Sequence, residues 1–323
     1  MTTTVPVAQL ERMVYSTDGP KVVALGGGHG LALTLQAVQS YAAQISAIVA
    51  VADDGGSSGR LTSGLGIPPP GDVRRCLLAL TPDQSLWSEV FAYRFEGGDI
   101  EDHSLGNLLL AALTEITGDF GEAVDAAGRM LKAVGRVIPA AKRPAVLTAI
   151  VQGREVVGQA AITKTRGIEE LKVGPAALVA SNSALEAIAD ADQVILGPGS
   201  LYTSLLAVLL VPGIAEAWRA SRATKVFVLN LIGQEGETLG LSGHDHLEAL
   251  ARTAQLEGPG VVVVNSSALP MALASRAVGL SLGEAAERGW RIEFADLIRV
   301  VEGWPEHDPR SLGTVLASIA RRD

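Results

Sequence analysis

Four short apolar runs in this 323-residue chain each end in glycine or a small polar residue. The first, residues 21–25, runs into Gly26, Gly27, Gly28, His29 and Gly30, after which Leu31, Leu35 and Val38 recur at helical spacing. The second, residues 45–51, delivers Asp53 and Asp54. The third, residues 193–196, enters Gly197, Pro198, Gly199 and Ser200, and the fourth, residues 225–229, stops at Asn230. Strand, glycine turn, helix is the grammar of parallel strands joined by crossovers. It predicts an α/β fold with a doubly wound, mostly parallel Rossmann-like sheet. In such sheets ligands bind outside the carboxyl ends of the strands, where these residues gather.

The core has to be built from Ala, Val, Leu and Ile, because apolar residues make up 48% of the chain and aromatics only 4%. That apolar share excludes intrinsic disorder. Residues 1–20 read as a leader and 21–323 as one domain, with a β-rich insertion at about 137–175 that turns at residues 152–154. Pro68, Pro69 and Pro70 break any helix through 64–71, and Asp72 is placed to cap the next one, which carries Val73, Leu77, Leu78 and Leu80. Helices are predicted over 105–116 and 120–134. A net charge of −9, from 26 basic and 35 acidic residues, argues against a general nucleic-acid binder. The single Cys76 excludes an internal disulfide and a thiolate-rich zinc site. The start of the chain lacks a basic segment followed by an apolar one. The apolar run at 205–211 is far short of the ~20 residues that span a bilayer. The expectation is a cytoplasmic protein without membrane insertion.

The first glycine loop fails the dinucleotide fingerprint, since Leu31 and Leu33 stand where the last glycine is needed, and no Walker lysine follows. Its amides and the helix N-terminus behind them nevertheless suit a phosphate; the alternative is a plain tight turn. His29 adds a side-chain donor. Asp53 and Asp54 can accept from ribose hydroxyls or hold Mg²⁺. Ser57 and Ser58, with the glycines around them, can form an anion-binding nest, and Arg60 can fork onto a phosphate. A solvated polar turn is the competing reading. Of Arg74 and Arg75, one should face the crevice. Ser200 is either a helix cap or a phosphate contact, and Asn107, near a helix start, can read a base or sugar edge. His244 and His246 point apart on a helix and make a poor metal pair.

These segments resemble the gluconeogenesis factor family, within the 2-phospho-L-lactate transferase superfamily. The resemblance is carried by residues 22–31, 52–61, 69–74, 103–107 and 197–204, and by Asn230 with 234–238, and it is collinear from about residue 21 to the end. It implies a Rossmann-like fold and a cytoplasmic protein that binds a nucleotide sugar such as UDP-N-acetylglucosamine or UDP-glucose. It further implies a part in cell shape and growth on gluconeogenic carbon sources. The related transferases use Mg²⁺, and Asp53 or Asp54, with Asp72, occupy the matching motif positions. Two departures stand out: His29 replaces a frequent Thr, and Glu306 precedes His307-Asp308 where Arg is frequent, which would repel a diphosphate. Three readings stay open: a regulator that binds UDP-sugar without turnover, a Mg²⁺-dependent phospho-group transferase, and an interaction scaffold. A homo-oligomer is left open as well.

Overall fold

The computed structural model describes residues 18–82, 85–98 and 100–322; most of the expected leader lies outside them. The strands are β1 (Lys21–Gly26), β2 (Gln44–Val49), β3 (Arg136–Pro139), β4 (Val146–Val151), β5 (Arg154–Val157), β6 (Glu170–Gly174), β7 (Gln193–Leu196), β8 (Thr224–Val228), β9 (Gly260–Asn265), β10 (Trp290–Ala295), β11 (Ile298–Val301) and β12 (Trp304–His307). Seven of them form one sheet in the order β10-β9-β8-β7-β1-β2-β3, and every pairing in it is parallel. Its strands are buried on both faces, as their unbroken apolar runs require. Val23 and Leu25 of β1 enter one core, and Val22 and Ala24 enter the other.

The chain moves outward from β1 through β2 and β3, then returns to the other side of β1 with β7 and moves outward again. The order therefore reverses between β1 and β7, and the crevice at their carboxyl ends is the switch point of the fold. Strands β4, β5 and β6 form a separate antiparallel sheet with its hairpin at 152–153. The boundary expected at 137 is displaced, because residues 136–139 pair with β2 as the sheet's edge strand. Only the segment after them leaves the sheet.

Five helices matter for the crevice: α1 (Gly28–Val38), α2 (Gly56–Leu65), α3 (Pro70–Ala79), α4 (Leu86–Ala92) and α5 (Leu105–Thr117). Helix α3 starts before Asp72, since Pro70 occupies its first turn, where a missing N–H costs nothing. Asp72 lies inside that turn and does not cap it. The Gly-Ser run after Asp54 forms α2 where the sequence suggested an irregular nest. No single helix among the described residues is long and apolar enough to cross a membrane.

Candidate functional site at the strand switch point

The loops after β1, β7 and β8 meet. Asn230, just past β8, accepts from the Gly199 amide (3.0 Å) and donates to the Gly199 carbonyl (2.8 Å). Thr34 of α1 donates to the Gly197 carbonyl at 2.9 Å. Gly30 lies so close to Pro198 that a Cβ on it would collide with the Pro198 carbonyl. That carbonyl belongs to rigid backbone, so Gly30→Ala is expected to destabilise the protein by about 1–3 kcal/mol, the usual cost of overpacking. A denaturant midpoint equal to wild type would show that the two loops are not in this contact.

Two cavities flank the junction, and Ser200 lines both. The first, about 400 Å³, is polar. Its floor is the N-terminus of α2, which no side chain caps, so its first amides stay open to a ligand. Ser57, Ser58, Gly28, Arg74, Arg75, Arg94 and Asn107 surround it. Arg74 is the unusual member. It is buried at 7% exposure, yet among the described residues it bonds only to neutral acceptors, Asn107 Oδ1 (3.0 Å) and the Phe91 carbonyl (3.4 Å). Asn107 in turn donates to Ser57 Oγ at 3.3 Å. Burial, reinforced by the neighbouring cations Arg75 and Arg94, lowers the Arg74 pKa to about 10. The Asp72 carboxylate opposes that shift without bonding to Arg74, and a buried guanidinium bonded to no carboxylate is an incomplete arrangement that an anion would complete.

The carboxylates are divided differently from the sequence expectation. Asp53 lines the polar cavity, with Oδ1 accepting from the Gly55 amide (3.0 Å). Burial raises its pKa, and the nearby Asp72 adds to the shift. Asp72 lines the same cavity but is already engaged: Oδ2 accepts from the Gly28 amide (2.7 Å) and Oδ1 from Arg75 (2.7 Å). Asp54 turns away and accepts from the Ala160 amide of the inserted segment at 2.8 Å. The expected role of Asp54 at the ligand is therefore not supported by its position. Arg60 lines neither cavity: it donates to His103 Nε2 (3.0 Å) and the Glu101 carbonyl (3.0 Å), one turn along α2 from the polar cavity. Among the described residues no three His, Cys, Asp or Glu side chains gather as a metal cage. Asp53 and Asp72 alone would suffice for Mg²⁺, which commonly takes one or two carboxylates and fills the rest with phosphate and water.

The glycine loops themselves offer less to an anion than their sequence suggests. Asp72 occupies the first amide of α1, and Glu237, 3% exposed, occupies the turn after Ser200. Glu237 accepts from the Tyr202 amide (3.1 Å) and from the Thr203 hydroxyl, and burial raises its pKa. Both helix starts are thus neutralised from within. Gly28 faces the polar cavity, whereas Gly26, Gly27 and Gly197 line neither cavity. The uncapped amides and the cations that line the polar cavity lie at α2 and at Arg74, Arg75 and Arg94.

The second cavity, about 480 Å³, is mostly apolar and is lined by Gly30, Gly199, Asn230, Leu231, Ile232 and Trp304. Arg276 lies over the Trp304 ring, 5.6 Å from its centre. Glu306, the residue expected to repel a diphosphate, is held between His29 Nε2 (3.0 Å) and Arg299 (3.0 Å), so its charge is compensated locally. Sequence reasoning did not single out Trp304, Arg276, Arg94, Gln159 or Glu237. Only Glu237 carried a signal, within the 234–238 segment.

The model of the 2-phospho-L-lactate transferase CofD family matches residues 22–292. The gluconeogenesis factor of Bacillus subtilis is 37% identical over 312 residues, covering 94% of this chain and 98% of that protein. The gluconeogenesis factor of Halalkalibacterium halodurans is 46% identical over 232 residues, covering 71% and 72%. A crystal structure of a Bacillus halodurans protein superposes with a TM-score of 0.88 at 35% identity, covering 94% of this chain and all of that one. With its fold, its strand-end loops and these relatives in agreement, the chain belongs to the CofD family, among the gluconeogenesis factors.

Proposed function

We propose that the protein is a cytoplasmic regulator that binds a UDP-sugar across the β1/β7 crevice without turning it over, in the service of cell shape during gluconeogenic growth. One observation carries the binding mode: Arg74, a buried cation with no carboxylate bonded to it among the described residues, faces a polar cavity that adjoins an apolar, tryptophan-walled one through Ser200. A nucleotide sugar has matching halves. Its phosphates take the cations and open amides of the polar cavity, and its base lies against the apolar wall. Asn230 and the backbone around it supply donors and acceptors for the base or ribose. The regulatory role rests on the family and not on the geometry.

A transferase reading is favoured by a separate observation, the two carboxylates Asp53 and Asp72 lining one cavity with Asp53 shifted towards protonation. Mg²⁺ held there would neutralise phosphate charge. Calorimetry with UDP-N-acetylglucosamine, UDP-glucose and UDP, with and without Mg²⁺, separates the readings. Metal-independent binding with the sugar nucleotide intact after hours supports the regulator. Strict metal dependence, with the sugar phosphate joined to an added alcohol acceptor through a new phosphodiester and UMP released, supports the transferase. Heat from none of the three ligands would sink both.

A further inference from the structure

Between β5 and β6 the inserted segment forms a four-residue helix, Gln159–Ile162, that borders the crevice. Gln159, at its start, lines the polar cavity, and Thr163, one turn later, lines the apolar one. Both ends are fastened to the main domain. Asp54 holds the Ala160 amide at 2.8 Å, and the backbone of Gly236 is packed against the Thr163 carbonyl. Ile162 beneath it is fully buried. The segment is therefore a fixed strap over both halves of the site.

Gln159 is the one side chain of this strap that faces the polar cavity, and its carboxamide has no partner among the described residues. Its Oε1 and Asp53 Oδ1 approach the same point, the position a Cβ on Gly55 would take, at 3.9 and 3.3 Å. Gly55 is the residue from which α2 starts. A carboxylate and a carboxamide therefore both border Gly55, next to the amides proposed to hold the phosphates. A carboxylate accepts only, whereas a carboxamide both donates and accepts, so the pair suits neighbouring hydroxyls.

Resting on the binding mode above, we infer that Gln159 reads the hydroxylated group attached to the terminal phosphate, and that Asp54 is the residue that positions Gln159. The sugar, rather than the base, is then the part of the ligand that the inserted segment recognises. Asp54 acts at one remove: it fixes the strap through Ala160 and touches no ligand atom. Its adjacency to Asp53 in sequence divides the labour, one carboxylate for the ligand and one for the strap that covers it.

The test compares UDP with UDP-N-acetylglucosamine on the full chain by calorimetry. Gln159→Ala is expected to weaken the sugar nucleotide about five- to tenfold, the loss of one or two hydrogen bonds, and to change UDP less than twofold. Asp54→Ala should reproduce that selective loss, and Asp54→Asn, which keeps the accepting oxygen, should restore it. The Asp54→Ala, Gln159→Ala double variant should lose no more than either single one, as for residues acting as a unit. Equal weakening of both ligands, or a sugar preference that survives Gln159→Ala, overturns the inference while leaving the binding mode intact. A wild type that binds neither ligand overturns the binding mode and this inference with it.

Discussion

Arg74→Met is expected to weaken UDP-sugar binding about a hundredfold while leaving the ligand-free protein no less stable than wild type. The two halves of this result have one cause. A buried guanidinium bonded to no carboxylate is held at the expense of its hydration, which is why burial, only partly opposed by the nearby Asp72, lowers its pKa to about 10. Methionine fills a similar volume without that penalty, and replacing buried ionic groups by apolar ones of like shape is often neutral or stabilising. The loss of hydrogen bonds to Asn107 and the Phe91 carbonyl works the other way and offsets part of the gain. In the complex the balance reverses, because charge-assisted hydrogen bonds to phosphate contribute about 1.5–3 kcal/mol, and a hundredfold corresponds to roughly 2.7 kcal/mol. Arg74→Lys, a point charge without the fork, should fall between the two. Calorimetry and urea denaturation on the same preparations check both halves. Binding within twofold of wild type would remove Arg74 from the anion seat, and a large loss of stability would mean that the cation is structural.

What could be read from the sequence, and what could not, follows from the range of the interactions involved. The ends of β1, β7 and β8 were legible because a buried parallel strand must be apolar and must stop at a residue that can turn. Their convergence followed from topology alone, and Asn230 does reach across to Gly199. Helix α2 was not legible: glycine and serine are weak helix formers, and Ser57 and Ser58 are helical with their side chains buried under Asn107 and Gly71. Strand β3 was hidden because four residues next to a β-rich segment carry no mark of which sheet they join. The roles of Asp53 and Asp54 could not be separated from spacing, since adjacent residues diverge and only the placement of the inserted segment decides which one it captures. Arg94 and Gln159 reach the polar cavity from outside the main sheet, so neither was visible as a site residue.

Acid is expected to destabilise the protein through His307, and the size of the effect can be stated. His307 is buried at the end of β12, and its Nε2–H donates to the Leu229 carbonyl at 3.2 Å, one residue before Asn230. Burial lowers its pKa from 6.5 to about 4. Between these values the unfolded chain takes up a proton that the folded chain refuses. Stability is therefore full above pH 6.5 and falls as the pH drops towards 4, by about 3 kcal/mol for this residue alone. Burial lowers His103 and His246 in the same direction, whereas Asp53 and Glu237, raised by burial, give slopes of the opposite sign above the ordinary carboxylate range. The contribution of His307 must therefore be read as a difference between proteins. His307→Gln keeps a donor for Leu229 but cannot be protonated, so it should match wild type within about 1 kcal/mol at pH 8 and exceed it progressively below pH 6.5. The hairpin of β11 and β12 carries Trp304 and Glu306 into the apolar cavity, and His307 ties it to the end of β8. UDP-sugar affinity should then weaken only as the pH approaches 4, where the folded imidazole itself takes up a proton, and more in wild type than in His307→Gln. Parallel acid slopes for the two proteins would show that this imidazole is already charged in the folded state, or that its burial costs nothing.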